Sequence, residues 1–140
     1  MKKIIMFIDD DATVLDSVAP NIISFVKERV NQVMEFQSIA EVEEYMANQK
    51  DCIPVLAIVD LWYNDFDTNT SDQEGGFKII EKLRKKFPNV YIIVFSAHLN
   101  ADRLGRLKAK YPGIPILSKS EGSLDGLFVK IDEGLKSCEL

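Results

Sequence analysis

Four short apolar runs in this chain end on residues that can do chemistry. Ile4–Ile8 is followed by Asp9-Asp10, Val55–Val59 by Asp60, Val90–Phe95 by Ser96, and Ile114–Leu117 by Ser118-Lys119. In an open α/β sheet, ligands bind beyond the carboxyl ends of the strands, where the strand order reverses. If the strands lie in the order 2-1-3-4-5, the reversal falls between strands 1 and 3, which end in Asp9-Asp10 and Asp60. Adjacent strands are ~4.8 Å apart, so these carboxylates converge on one small volume. Like charges that close repel unless protons or a cation intervene. A hard divalent cation with oxygen ligands resolves the conflict, and Mg²⁺ commonly uses one or two carboxylates with waters and phosphate oxygens. Ser96 adds a hydroxyl beside Asp60, and Lys119 adds an ammonium two strands away, within reach of an oxyanion above Asp60.

The elements that must hold these residues are legible from the pattern. A fifth apolar run, Val33–Phe36, completes five candidate strands, and stretches of helical period separate them. Leu15, Val18, Ile22, Val26 and Val30 form a helix stripe. Pro20 lies inside it and predicts a kink or break. Ser38-Ile39-Ala40-Glu41 is a capping-box pattern opening a second helix, with Val42, Tyr45 and Met46 inward. A third helix is expected from about Gly76 to Phe87, stopped by Pro88, with Phe77, Ile80 and Leu83 inward. The fourth, about Ala101 to Tyr111, is basic, and the fifth carries Leu124, Leu127, Phe128, Ile131 and Leu135 inward. Strands alternating with helices predict an α/β fold with a doubly wound five-stranded parallel sheet. Pro115 marks the fifth run as an edge strand, which the order 2-1-3-4-5 satisfies. The stretch 61–75 is long for a strand-to-helix loop, which usually takes ~2–6 residues.

Bulk properties bound the rest. The 140 residues fit one domain, 1–140. The net charge of −5, read as evenly spread, argues against nucleic acid or an anionic membrane as partner. Cys52 and Cys138 have no paired spacing, as expected of a reducing, cytoplasmic compartment. The apolar N-terminus is too short for a signal peptide and is ended by Asp9-Asp10-Asp11. No stretch approaches the ~20 apolar residues of a membrane span. There is no dinucleotide-binding glycine pattern and no phosphate-cradling Gly-rich Lys loop.

Taken together, Ile8-Asp9-Asp10, Val59-Asp60, Ser96-Ala97 and Lys119 resemble the receiver domain of response regulators in two-component signalling, over essentially the whole chain. The resemblance implies a flavodoxin-like (αβ)5 fold. It also implies that Asp60 accepts a phosphoryl group from a phosphohistidine on a sensor histidine kinase or histidine phosphotransfer protein. By the same resemblance, Asp10, Asp60 and the backbone carbonyl of Trp62 ligate Mg²⁺, and Asp9 acts largely through water. Ser96 and Lys119 would bind the phosphoryl oxygens, with Ser96 as the mobile switch. The downstream protein partner would read the face formed by helix 4, strand 5 and helix 5. The chain departs from the family pattern at Ser120, where a proline is usual, and at Ile116, where a switching Tyr or Phe is usual. The loop after Asp60 is longer and lacks the common Pro turn. His98 falls where side chains influence dephosphorylation. The chain ends after the fifth helix, with no output domain expected.

Ordinary structural roles are open to each residue taken singly. Asp10 or Asp11 can cap the first helix, Ser96 can be a loop serine, and Lys119 a solvated lysine. Trp62, Tyr63 and Phe66 can pack the long loop, and Asp65, Asp67, Asp72 and Glu74 can form a solvated face. Two other functions compete. One is an interaction domain that keeps the fold without the phosphorylation switch, motivated by Ile116 and Ser120. The other is a Mg²⁺-dependent phosphatase or phosphotransferase on a small substrate, which would need a pocket that only the long loop could supply.

Overall fold

The computed structural model describes residues 1–48, 51–61, 75–97, 99–121 and 123–138. Five strands, β1 (Lys2–Ile8), β2 (Gln32–Phe36), β3 (Cys52–Val59), β4 (Tyr91–Ser96) and β5 (Ile116–Ser118), pair in the order β2-β1-β3-β4-β5. Every pairing is parallel. Five helices connect or follow them: α1 (Ala12–Val26), α2 (Ile39–Asn48), α3 (Gly75–Lys86), α4 (Ala101–Lys110) and α5 (Asp125–Ser137). The expected fold class, strand order and helix count all hold.

Period-two alternation divides the apolar residues between two faces. Ile4, Met6 and Ile8 of β1, with Ala57 and Val59 of β3, pack against α2, α3 and α4 through Val42, Ile80, Leu83 and Leu107. Ile5 and Phe7, with Leu56 and Ile58, pack against α1 and α5 through Leu15, Ile22, Leu127 and Ile131. A strand buried on both sides needs a continuous apolar run, which is why β1 and β3 show no polar alternation.

Three prolines show what the sheet and helices tolerate. Helix α1 runs unbroken through Pro20, so of the expected kink or break the break does not occur. Pro20 and Asp16, whose carbonyl loses its partner, are both exposed, so water can satisfy that oxygen. The buried stripe Leu15, Val18, Ala19, Ile22 and Val26 holds the helix together. Pro54 lies inside β3, a central strand, where a proline is usually excluded. It sits at a register shift: Ile4 faces Pro54 and Ile5 faces Leu56, which leaves Val55 as an extra residue. Pairing with β4 begins only at Leu56, so the missing N–H costs no ladder bond on that side. Pro115 immediately precedes the edge strand β5 and contributes only its carbonyl, which accepts from Val94 N–H at 2.9 Å.

Helix starts follow the sequence signals. Ser38 Oγ accepts from Glu41 N–H at 3.0 Å, and the Glu41 carboxylate reaches back to Gln37 N–H at 3.1 Å. Asp11 caps α1 by accepting from Thr13 N–H, and Asn100 caps α4 by accepting from Arg103 N–H. The capping role considered for Asp10 or Asp11 therefore belongs to Asp11. No helix among the described residues is long and apolar enough to cross a membrane.

Candidate functional site: a carboxylate pocket at the carboxyl edge

The register of β1 against β3 ends at Ile8 facing Val59, which brings the next residues, Asp9 and Asp60, side by side. Both continue the phase of the strand residues facing α1 and α5. The ladder extends one step past the strands, with Asp9 N–H donating to Phe36 C=O at 3.0 Å and Asp60 N–H to Ile8 C=O at 3.1 Å. These bonds fix both backbones while the side chains point into the edge pocket. Asp9 and Asp60 are buried and Asp10 half-buried, and one carboxylate oxygen from each lies within 4.8 Å of the others.

Two further strand ends complete the pocket. Ser96 ends β4, is fully buried and hydrogen-bonds the Asp60 carboxylate. Lys119 follows β5 and opens a short 3-10 turn, Lys119–Glu121. Its Nζ lies 2.5 Å from Asp9 Oδ2 and 3.4 Å from Asp60 Oδ2. Asp9 Oδ1 is engaged separately, accepting from Asp11 N–H at 2.9 Å. Asp9 Oδ2 is buried and meets the Lys119 ammonium in a close, charge-assisted contact.

Burial dominates the electrostatics. Asp60 is pushed up to about 7, first by desolvation, then by the neighbouring Asp9 charge; Lys119 and the Ser96 hydroxyl pull it back only in part. Asp9 is also raised, again chiefly by desolvation, with Lys119 opposing. One ammonium does not neutralise three carboxylates. A small dication fits this donor set: three hard carboxylate oxygen ligands at mutual distances a single ion can bridge.

Sequence reasoning brought Asp9, Asp10, Asp60, Ser96 and Lys119 to one place, and the structure does the same. Trp62, the fourth expected metal ligand, and His98 lie outside the described residues, as does most of the long loop. Two features of the site were not foreseen. Gly76, in the first turn of α3, packs directly on the backbone beneath the site. A Cβ there would collide with the Asp60 carbonyl oxygen and fall 2.5 Å from Leu61 Cα. The only sequence signal was the pair Gly75-Gly76 at a helix start, where no φ demanded glycine. The second is the hydrogen bonding at Ser120, a position already marked as departing from the receiver pattern. Its N–H donates to Ser118 Oγ at 3.2 Å and its hydroxyl contacts Ser118 Oγ at 2.6 Å, a local turn that a proline N could not join. Ile116, at the start of β5, is half-buried and packs on the α2–α4 side of the core.

The fold of this chain is that of response regulator receiver domains. A CheY-like receiver domain protein from Methanospirillum hungatei superposes with a TM-score of 0.74 at 21% identity, covering 98% of this chain and 96% of that one. A response regulator receiver protein from Sinorhizobium medicae gives 0.70 at 19% identity, covering 99% and 98%. A receiver domain protein from Clostridium thermocellum gives 0.66 at 21%, covering 99% and 97%. No protein-family model and no curated protein matches the sequence.

Proposed function

We propose that this chain is a phosphoacceptor receiver of a two-component or phosphorelay system, with Asp60 as the acceptor. The observation that carries the reading is the convergence of Asp9, Asp10, Asp60, Ser96 and Lys119 from four strand ends on one buried pocket. A carboxylate oxygen of Asp60 attacks the phosphorus of a phosphohistidine on a kinase or phosphotransfer protein. The P–N bond breaks, an acyl phosphate forms on Asp60, and the departing imidazole takes up a proton. Such transfers need charge stabilisation on the phosphoryl oxygens more than acid–base chemistry. Lys119 supplies an ammonium and Ser96 a hydroxyl for those oxygens.

The proposed metal is Mg²⁺, held by Asp10, Asp60 and the Trp62 carbonyl, with Asp9 acting largely through water. When bound, it supplies positive charge that keeps Asp60 ionised and offsets charge on the transferring group. Without it, burial and the Asp9 charge push Asp60 up to about 7, so the ion would favour the nucleophilic anion at neutral pH. Signalling would follow through a protein partner on the α4–β5–α5 face. The proposed setting is the cytoplasm, where phosphohistidine donors reside.

The test is the intact mass of wild type and Asp60→Asn after incubation with a small acyl phosphate, with and without Mg²⁺. A single Mg²⁺-dependent phosphoryl adduct absent from Asp60→Asn is expected. Equal labelling of the variant would move the acceptor elsewhere. Ile116, an aliphatic residue half-buried where an aromatic relay is usual in receivers, favours a second reading, an interaction domain without the switch. That reading predicts no adduct in a folded, Mg²⁺-binding protein and no response to a stable phosphoryl mimic.

A further inference from the structure

Charge in this chain is segregated, contrary to the even spread expected from its net value. Helices α3 and α4 hold nine of the seventeen Lys and Arg residues but only two of the twenty-two acids. Both helices lie on the same face of the sheet, burying Phe77, Ile80, Leu83 and Leu107 in one core. Arg103 is buried and Lys110 pairs with Glu81 at 3.9 Å, but the remaining cations still make the outer surface of these helices basic on a protein whose net charge is −5.

Helix C-termini attract cations through the macrodipole. That accounts for Arg84, Lys85 and Lys86 in the last turn of α3 and for Lys108 and Lys110 in that of α4. It does not account for Lys78, Lys82 and Arg106, which stand earlier. Two guanidiniums are also held in place. Arg106 lies over the Phe77 ring at 4.6 Å and Arg84 over the Tyr111 ring at 5.3 Å, although both arginines are exposed. Stacking on a ring fixes a planar fork that matches a carboxylate bidentately, and it lowers the entropy lost on binding.

We propose that the α3–α4 face docks an acidic polypeptide segment of a partner protein. The neighbouring surface selects this occupant over other polyanions. Helix α2, which borders α3 through the Lys82–Glu43 ion pair at 3.2 Å, carries Glu41, Glu43 and Glu44 and no cation. Duplex DNA, with one charge per ~1.7 Å, would overrun the two helices and meet that acidic border. A peptide lying along α3, about 18 Å long at ~1.5 Å per residue, would not. A membrane is disfavoured too, because none of the exposed large apolar residues belongs to α3 or α4. The docking surface is separate from the Asp60 pocket and needs no phosphoryl donor.

Fluorescence anisotropy of a labelled deca-glutamate peptide at low salt tests this. The proteins are wild type, Arg84→Glu/Arg106→Glu/Lys108→Glu, and a control of equal charge change, Lys2→Glu/Lys3→Glu/Lys136→Glu. About a tenfold or greater loss of affinity in the first variant, against less than about twofold in the control, is expected. Equal losses in both, no binding by wild type, or tighter binding of a short DNA duplex or of phosphatidylserine-containing vesicles would each overturn the proposal. If circular dichroism shows the triple variant unfolded, Lys85→Glu/Lys108→Glu is read instead. Both of its side chains are exposed, and an unchanged affinity there overturns the proposal equally.

Discussion

Lys119 pairs with two buried carboxylates, and it lies closer to Asp9 than to Asp60. An ammonium so placed is the largest influence opposing the desolvation of Asp9, and it acts with the Ser96 hydroxyl on Asp60. Removing it leaves two buried acids facing each other, so Lys119→Met should destabilise the metal-free protein by about 2–4 kcal/mol at pH 8. At pH 5 the loss should be smaller, because the raised acids take up protons there. Urea unfolding at the two pH values measures the difference, and an equal loss at both would deny Lys119 this role. Asp60→Asn should act in the opposite direction. It keeps the shape while removing a charge whose pKa is pushed to about 7, so it should raise metal-free stability at pH 8 by roughly 1–3 kcal/mol. Asp10→Ala should weaken Mg²⁺ binding at least tenfold in a calorimetric titration, since it deletes one of the cluster's oxygens. An unchanged titration would take Asp10 out of the coordination.

At the scale of elements, the strand ends were legible because buried parallel strands must be continuous apolar runs, and a polar residue after such a run has to lie at the edge. Asp9, Asp60, Ser96 and Lys119 could thus be placed without knowing any contact. Chain events that depend on a partner element were not legible. Whether Pro20 breaks α1 depends on whether the Asp16 carbonyl faces water, and the bulge that accommodates Pro54 depends on where β4 starts pairing. The closeness of α3 to the end of β3 was likewise invisible, yet it sets the position of Asp60. Gly76 has no room for a Cβ against the Asp60–Leu61 backbone. Gly134 of α5 has none against Tyr91 and Leu56, far from the pocket. Gly76→Ala and Gly134→Ala should therefore both destabilise, by about 1–3 kcal/mol through overpacking. Only Gly76→Ala should also slow the proposed phosphoryl uptake and weaken the proposed Mg²⁺ binding, because it displaces the backbone of Asp60 itself. Matched metal affinities in the two variants would show that α3 does not position the site.

For the whole molecule, the proposed metal binding and folding would be coupled through the same protons. The native state holds Asp60 with a pKa of about 7 against 3.8 for the ordinary side chain. Between these values the folded protein binds more protons than the unfolded one, so this contribution makes metal-free stability fall as pH rises from about 4 to 7, then level off. Asp9, raised for the same reason, adds to the slope in the same direction. A dication binds the ionised carboxylates, so its affinity rises across the same window as protons leave. The two effects should cross. Without metal, the thermal midpoint is higher at pH 5 than at pH 8, once the contribution of the other titrating groups is removed by comparison with Asp60→Asn. Saturating Mg²⁺ then raises the midpoint by several degrees at pH 8 and by much less at pH 5. Paired melts in chelator and in Mg²⁺ at the two pH values decide it. A Mg²⁺ shift independent of pH would mean that the ion binds outside the carboxylate cluster, and the buried charge would then have to be offset by protein groups such as Lys119, Ser96 and the Asp11 N–H.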